Sequence, residues 1–198
     1  MNSGRKSPID AKAKANAPGS VRIIGGRWRG TRLPVPDRPG LRPTSDRVRE
    51  TLFNWLQPHL PGARVLDLFA GSGALGLEAL SRGAASAQLI EADANLALGL
   101  KDLGGRLDAA DQLQVHASDA LAWLRAAPEA SFDIAFVDPP FDAGLWDAVL
   151  ALLPARMAVQ GWIYLESPAR HAPLLLPGWS LHRESHTQDV RYALYRRG

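Results

Sequence analysis

The sequence of 198 residues contains no cysteine. This absence excludes disulfides, cysteine-ligated zinc, iron–sulfur clusters and thiol catalysis, and it fits a reducing compartment. The sequence also lacks an apolar run long enough to span a membrane, and residues 1–8 contain no apolar signal segment. We therefore expect a cytoplasmic protein that has no membrane partner.

Acidic residues are scarce in the amino-terminal quarter of the chain. Residues 1–49 contain 12 Lys and Arg against 3 Asp and Glu, whereas the remaining residues contain 11 against 17. The net charge of +3 therefore combines a basic amino-terminal part with an acidic body. This asymmetry favours a polyanionic partner that meets the basic part, and the alternative is a tail that only improves solubility.

A glycine-rich stretch at residues 65–76 predicts a buried strand, a tight turn and the start of a helix. Residues 65–69 are mostly apolar, and Gly71 and Gly73 permit a sharp turn that a ligand can approach without meeting a Cβ. Such a loop presents backbone N–H groups to a polar ligand. Because the spacing, which ends at Gly76, also matches the dinucleotide fingerprint, it leaves the ligand open.

Strand-like and helix-like patterns alternate through the rest of the chain, so the fold class is α/β. Five strands separated by helices predict a parallel sheet with helices on both faces. Two final strands without an intervening helix predict an antiparallel pair at the sheet edge. The predicted strands are residues 65–69, 87–90, 113–116, 132–137, 161–166, 179–186 and 190–195. The predicted helices contain residues 74–80, 94–104, 121–124 and 145–152.

The chain divides into three parts. A basic tail at residues 1–20 is predicted to be disordered, and an extension at residues 21–43 precedes the main domain at residues 44–198. Residues 44–46 offer a helix cap, and we expect the helix that follows to end before Pro58.

Two strand-like runs at residues 21–24 and 27–33 flank a pair of glycines, which indicates a β-hairpin. Arginines in and after this hairpin suit RNA phosphates, and Trp28 suits stacking on a base. The alternatives are that Trp28 packs the hairpin onto the body and that the later arginines form a solvated face. The candidate RNA-binding residues are Arg22, Arg27, Trp28, Arg29, Arg32, Arg42 and Arg47.

Carboxylates follow four of the predicted strands, at the edge where ligands bind to open sheets. These residues are Asp67, Glu91, Asp119 and Asp138. Four carboxylates around one glycine loop would repel a phosphate, which argues against a dinucleotide. They suit a ligand with hydroxyl groups, an amino group and a positive centre, and S-adenosylmethionine has all three. Glu91 alone does not discriminate, because it would bind the ribose of either cofactor.

An Asp-Pro-Pro-Phe motif at residues 138–141 directly follows a predicted strand. The rings of the two prolines fix the backbone of the turn. Because neither proline has an N–H, their carbonyl groups are left free. The Asp138 carboxylate and the Pro139 carbonyl would accept hydrogen bonds from a planar amino group, and Phe141 would stack on the attached base. The alternative is a structural Pro-Pro turn with a buried phenylalanine.

Together these motifs resemble class I S-adenosylmethionine-dependent methyltransferases, and more closely the bacterial 16S ribosomal RNA guanine-N2 methyltransferase family. The resemblance extends over about residues 21–197. Many amino-group methyltransferases share the glycine loop and the Asp-Pro-Pro-Phe motif, and two amino-terminal stretches make the resemblance specific. Ser45, where a second threonine is expected, is a mild departure. The stretches that resemble the family are residues 22–30, 41–55, 66–73 and 138–141.

The resemblance implies a Rossmann-like fold with a seven-stranded, mostly parallel sheet, an antiparallel carboxyl-terminal hairpin and an amino-terminal β-hairpin extension. It implies methyl transfer from S-adenosylmethionine to the N2 amino group of a guanine in 16S ribosomal RNA or a small-subunit particle. We expect a monomer. We also expect no metal, because the five histidines have no metal-ligand spacing.

The resemblance also implies roles for particular residues. Gly71 and Gly73 would line the methionine part of the cofactor, and Asp67 would lie near its ammonium group. Glu91 would bind the ribose hydroxyls, and Asp119 would meet the adenine amino group. The implied cofactor-binding residues are Asp67, Phe69, Ala70, Gly71, Ser72, Gly73, Glu91, Ala92, Asp119 and Ala120, and the implied catalytic residues are Asp138, Pro139, Pro140 and Phe141.

Three alternatives stay open at this point. An amino methyltransferase that acts on DNA adenine or protein glutamine more often has Asn where this chain has Asp138, and it would not explain the basic extension. A nicotinamide-dependent oxidoreductase shares the glycine spacing but not the Asp-Pro-Pro-Phe motif. A non-catalytic RNA-binding assembly factor would not need suitable residues at every cofactor position.

Overall fold

The computed structural model describes residues 19–35, 44–129, 131–173 and 177–198. Most of the predicted tail, and Arg42 with the loop around it, lie outside these residues. The helices are α1 (Asp46–Leu56), α2 (Ala74–Ser81), α3 (Ala94–Arg106), α4 (Ala120–Ala126) and α5 (Trp146–Leu152). Single turns of 3₁₀ helix lie at Gln57–His59, Phe141–Ala143 and Leu153–Arg156.

Nine strands form two sheets within the described residues. The strands are β1 (Gly19–Arg22), β2 (Arg32–Val35), β3 (Arg64–Asp67), β4 (Ser86–Glu91), β5 (Leu113–Ala117), β6 (Phe132–Val137), β7 (Met157–Pro168), β8 (Trp179–His186) and β9 (Val190–Arg197). Strands β1 and β2 form an antiparallel pair, and the other seven form one sheet in the order β5-β4-β3-β6-β7-β9-β8.

The larger sheet confirms the predicted fold. Strands β3 to β7 pair with one another in parallel, and β9 is antiparallel to both β7 and β8. The strand order reverses at β3, which has β4 on one side and β6 on the other. A crevice forms at the carboxyl ends of parallel strands where such a reversal occurs, and it is the usual place for a ligand.

Side chains of β3 alternate between the two faces of the sheet. Val65 packs with α1, α2 and α3 on one face, whereas Leu66 and Leu68 pack with α4 and α5 on the other. Asp67 follows the same alternation, so its carboxyl group points to α2 and accepts a hydrogen bond from the Gly76 N–H at 3.0 Å. The period of the strand therefore places this acid under the glycine loop.

Helix α1 begins and ends where the sequence predicted. The Ser45 hydroxyl accepts a hydrogen bond from the Val48 N–H at 3.4 Å, which is the contact that an N-cap residue makes. The helix ends at Leu56, directly before the 3₁₀ turn that contains Pro58.

The amino-terminal hairpin is present, but the predicted strand bounds of residues 21–24 and 27–33 are wrong. Strand β1 already begins at Gly19, within the predicted tail, and its pairing with β2 ends at Arg22 and Arg32. The residues between the two strands form a long connection instead of a two-glycine turn.

This connection departs from a regular hairpin because its backbone binds to α2. The Glu78 carboxylate accepts hydrogen bonds from the N–H groups of Ile24 at 2.6 Å and Gly25 at 2.8 Å. The Ser81 carbonyl accepts a further hydrogen bond from the Arg27 N–H at 2.7 Å. Backbone groups that would have formed a ladder are therefore used to attach the extension to the body.

Arginines surround the buried Glu78 carboxylate. Arg82 Nε donates a hydrogen bond to it at 2.7 Å, and Arg49 Nη1 lies 3.8 Å from it. Arg49 is itself fully buried and donates to the Arg22 carbonyl at 2.9 Å. A buried carboxylate needs such partners because an unpaired buried charge strongly destabilises the fold. One buried charge network therefore joins the extension, α1 and α2.

Two glycines of the connection provide a matched test of this attachment. Gly26 and Gly30 have similar positive φ angles of 76° and 86°. A Cβ at Gly26 would lie 1.8 Å from the Ser81 carbonyl oxygen, whereas a Cβ at Gly30 would meet nothing within 4 Å. We expect Gly30→Ala to lower the free energy of unfolding by about 1–2 kcal/mol through backbone strain, and Gly26→Ala by about 2 kcal/mol more. Urea unfolding measures both, and equal losses would contradict the attachment.

Candidate active site

The glycine loop connects β3 to α2 at the reversal of the strand order. Gly71 and Gly73 have φ angles of 51° and 75°, a region that favours glycine. The Gly73 N–H donates to the Ala70 carbonyl at 2.7 Å, which closes the turn, and the Ala70 N–H donates to the Ile90 carbonyl at 3.0 Å. The loop is therefore held against the end of β4.

Close packing against neighbouring side chains explains the need for glycine at two of these positions better than the approach of a ligand does. A Cβ at Gly73 would lie 2.6 Å from Leu100 of α3, and a Cβ at Gly76 would lie 2.5 Å from Leu89 of β4. Both glycines let helix α2 lie close to its neighbours. The match to the dinucleotide fingerprint thus follows from helix packing and indicates no particular ligand.

Carboxylates of the chain already bind two of the N–H groups in this region. Glu91 accepts hydrogen bonds from the Gly71 N–H at 2.8 Å and from the Asp93 N–H at 2.9 Å. Asp67 accepts from the Gly76 N–H, as described above. The presence of these anions at the turn disfavours a bound phosphate, which would need the same N–H groups.

Asp67 is only 3% exposed. Burial raises the pKa of its carboxyl group to about 7, hydrogen bonds from the Gly76 and Phe69 N–H groups oppose the rise, and the charge of Glu91 adds to it. The group is therefore partly protonated near neutral pH, and a nearby cation would stabilise its charged form.

Asp138 belongs to a second group of polar side chains, at the ends of β6 and β7. The Thr44 hydroxyl lies 3.3 Å from Asp138 Oδ2 and 3.0 Å from Glu166 Oε1. Tyr164 donates a hydrogen bond from its hydroxyl to the same Glu166 oxygen at 2.7 Å. Burial, followed by the charges of Glu166 and Asp67, raises the pKa of Asp138 well above its usual range. Burial also raises the pKa of Glu166.

Four acids therefore form one row across neighbouring strands. Glu91 ends β4, Asp67 ends β3, Asp138 follows β6 and Glu166 lies near the end of β7. Within this row, the charge of Glu91 adds to the rise in the pKa of Asp67. The charges of Glu166 and Asp67 add to the rise in the pKa of Asp138. Asp119 lies beyond the row, after β5, where it is exposed and caps α4 by accepting from the Ala122 N–H at 2.8 Å.

The other predicted cofactor residues lie along the same strand ends. Phe69 is partly buried, Ser72 is half-buried, Ala92 is exposed and Ala120 is 5% exposed. The structure therefore brings the predicted set together at the ends of β3, β4 and β5, and their contacts with a cofactor stay a prediction.

The Asp-Pro-Pro-Phe turn corrects the expectation that the proline carbonyls are free, and it disfavours the alternative with a buried phenylalanine. The Pro140 carbonyl is not free, because it accepts a hydrogen bond from the Ala143 N–H at 3.0 Å. Phe141 is not buried, since 36% of it is exposed, and its ring lies 5.8 Å from that of Trp146. Pro139 is buried beside Asp138. The turn thus presents an aromatic face to solvent next to a half-buried carboxyl group.

Five of the candidate RNA-binding arginines are exposed, and they lie on the extension and at the start of α1. They are Arg22, Arg27, Arg29, Arg32 and Arg47. Arg22 pairs with Asp46 at 3.1 Å, and the Arg27 guanidinium lies 4.4 Å above the Trp28 ring centre. Trp28 itself is 9% exposed and lies in the core. Its burial favours the alternative in which the indole packs the extension onto the body.

Within the described residues, no group of side chains suited to metal binding occurs, and none of the helices has the length and hydrophobicity needed to cross a bilayer.

Comparison with known proteins identifies the family. A family model described as conserved hypothetical protein 95 matches residues 21–196. A curated Escherichia coli protein, named ribosomal RNA small subunit methyltransferase D, is 49% identical over 189 residues, which is 94% of each chain. The chain belongs to this methyltransferase D family.

Further members and structures agree with this assignment. The methyltransferase D of Haemophilus influenzae is 43% identical over 91% of this chain and 95% of its own. A solved Escherichia coli structure, described as a methyltransferase, has a TM-score of 0.81 with 50% identity, and covers 90% of this chain and 98% of its own. The family resemblance found in the sequence is thereby confirmed.

The sequence patterns did not single out three polar residues of the candidate site. Thr44 was assigned only to a helix cap, and Tyr164 and Glu166 only to a strand. One signal for Glu166 was present, because it ends an apolar predicted strand as the four chosen acids do. For Thr44 the sequence held no signal, because its contact with Asp138 joins residues 94 positions apart.

Proposed function

We propose that this chain transfers a methyl group from S-adenosylmethionine to the exocyclic N2 amino group of a guanine in the 16S ribosomal RNA of the small subunit. The observation that carries the proposal is the position of Asp138 beside Asp67, which puts a candidate amino-group acceptor next to a candidate cofactor loop. The names of the curated relatives support ribosomal RNA as the substrate. We expect the protein to act as a monomer in the cytoplasm, where ribosomal subunits are made.

The donor set at the glycine loop fits S-adenosylmethionine. This cofactor supplies an activated methyl group on a positively charged sulfur, beside an ammonium group. The charged form of the buried Asp67 would be stabilised by the ammonium group, and Glu91 has lone pairs left for ribose hydroxyls. Asp119 keeps a second carboxylate oxygen that would accept from the adenine amino group. The same acids would repel the pyrophosphate of NAD.

Asp138 and the Pro139 carbonyl would orient the guanine amino group. Two acceptors in fixed positions hold the N–H bonds and direct the nitrogen lone pair, which is otherwise delocalised into the ring. Phe141 would stack on the base, which must leave its helix to enter the site. With no cysteine in the chain, we expect direct in-line transfer, in which orientation and electrostatics provide most of the rate.

The exposed arginines of the extension would bind RNA phosphates. Buried contacts with α2 hold the extension in place, so these arginines have a fixed position relative to the glycine loop. Such contacts position an RNA without reading its sequence.

Labelled methyl transfer tests the proposal. Small-subunit particles and 16S ribosomal RNA from cells that lack this gene are incubated with the protein and labelled S-adenosylmethionine, then digested to nucleosides. We expect the label in N2-methylguanosine. Asp138→Ala should lower the rate roughly 100-fold or more, because it removes an acceptor used during transfer, and should leave cofactor binding nearly intact.

Asp142→Ala is the matched control, because Asp142 is an exposed carboxylate on the same turn. We expect this variant to retain the rate. Label in an adenine or a protein glutamine, or an Asp138→Ala variant as active as the wild type, would contradict the proposal.

Charge removal tests the role of the extension. Changing Arg22, Arg27 and Arg29 together to Gln should weaken RNA binding at low salt and reduce the slope of log affinity against log salt by about 2. A matched variant changes three exposed arginines elsewhere, which are Arg106, Arg125 and Arg183. Filter binding between 50 and 200 mM salt, a range of about fourfold, measures both. An equal effect of the two variants would show that the extension has no special role.

A further inference from the structure

Glu166 is a buried acid at the site to which the transfer described above gives no role. It is 4% exposed. Its side chain approaches Asp138 through the Thr44 hydroxyl, which lies 3.0 Å from Glu166 Oε1 and 3.3 Å from Asp138 Oδ2. Thr44 therefore bridges the two carboxyl groups.

The backbone of Glu166 supports the other end of the Asp-Pro-Pro-Phe turn. Its carbonyl accepts a hydrogen bond from Trp146 Nε1 at 2.8 Å, and the Trp146 ring lies 5.8 Å from the Phe141 ring. Glu166 is thus linked indirectly to both halves of the turn, through Thr44 to Asp138 and through Trp146 to Phe141. Such a double link is what a residue that positions the turn would have.

The bridge has only one hydroxyl hydrogen to share. If Thr44 donates to Glu166, a hydrogen bond between Thr44 and Asp138 forms only when Asp138 is protonated and donates. If Thr44 donates to Asp138, the Asp138 carboxylate is ionised. Tyr164 already donates to Glu166 Oε1, which stabilises charge on Glu166. The geometry therefore links the protonation of Asp138 to the charge of Glu166.

We propose that Glu166 is a positioning residue that, through Thr44, maintains Asp138 as the acceptor of the proton that leaves the guanine amino group. The inference rests on the proposed function. In the transfer the nitrogen forms a bond to the methyl carbon, the carbon–sulfur bond breaks with its electron pair on sulfur, and one N–H proton passes to an oxygen of Asp138. Asp138 returns that proton to water after the product leaves.

The charges around Asp138 support this role. Burial and the charges of Glu166 and Asp67 raise its pKa, whereas the Thr44 hydrogen bond lowers it. A carboxylate whose pKa is raised towards the working pH accepts a proton more readily than an ordinary aspartate does. The charged and titratable groups that face the pair or its neighbours are Glu91, Asp67, Tyr164 and Tyr192.

Two variants should move the titration of Asp138 in opposite directions. Glu166→Gln keeps an acceptor for Tyr164 but removes the negative charge, so we expect Asp138 to titrate at least about one pH unit lower. Thr44→Val removes the hydroxyl that stabilises the Asp138 carboxylate, so we expect a higher midpoint. Thr44→Ser keeps a hydroxyl and should return the midpoint towards that of the wild type. General loss of structure would not separate the variants in this way.

Carbon NMR of protein labelled at the aspartate carboxyl carbon measures the titration directly, without RNA or cofactor. The Asp138 signal is identified by its absence from Asp138→Asn. In parallel, the pH profile of kcat should show an acid limb that moves down in Glu166→Gln and up in Thr44→Val. The plateau of Glu166→Gln should fall roughly 3- to 10-fold with little change in KM, because Asp138 is then a weaker base.

The same Asp138 midpoint in Glu166→Gln and wild type would overturn the inference, and so would a shifted midpoint with an unshifted kcat profile. A wild-type protein that does not methylate guanine would instead contradict the proposed function. The carbon titration would still decide whether Glu166 controls Asp138.

Discussion

The burial and mutual repulsion of carboxyl groups that a parallel sheet brings to one edge are the constraint on which this site depends. Parallel strands deliver all their carboxyl ends to the same side, and here four adjacent strands each bring an acid there. Four such groups, partly or fully buried, cannot all be ionised at low cost. Backbone N–H groups and hydroxyls stabilise some of the charge. Burial is the main cause of the raised pKa values of Asp67, Asp138 and Glu166, and repulsion adds to those of Asp67 and Asp138. A cationic ligand would relieve this repulsion, whereas a phosphate would increase it.

Helix α2 connects this site to the amino-terminal extension. Its first turn follows the glycine loop, where Gly76 contacts Asp67, and its last turn carries Glu78 and Ser81, which hold the extension. Thr44, directly before the Ser45 cap of α1, contacts Asp138 itself. The eight-residue helix α2 and Thr44 therefore join the residues proposed to meet RNA to those proposed to act on the base. This arrangement explains why a short basic extension shares its core with the larger sheet.

The sequence was sufficient for features that depend on local pattern. Alternating strands and helices predicted the sheet, the Ser45 cap predicted the start of α1, and acids after strands predicted the row at the sheet edge. Features that depend on distant contacts escaped it. The hairpin bounds were wrong because Glu78 takes the backbone N–H groups of Ile24 and Gly25, more than 50 positions earlier in the chain. The glycine spacing suggested a ligand because the sequence does not reveal that Leu89 and Leu100 fill the space beside those glycines.

The central claim is that the acid row recognises a cation. Proton release on cofactor binding tests this claim most directly. Because the pKa of Asp67 is raised to about 7, most of this group is protonated at pH 6. Titration calorimetry with S-adenosylmethionine at pH 6, in buffers of different ionisation enthalpy, counts the protons that binding releases. We predict release of about one proton at pH 6 that falls towards zero above pH 8, and less release from Asp67→Asn. Binding without proton release at pH 6, or equally tight binding of NAD, would contradict the claim.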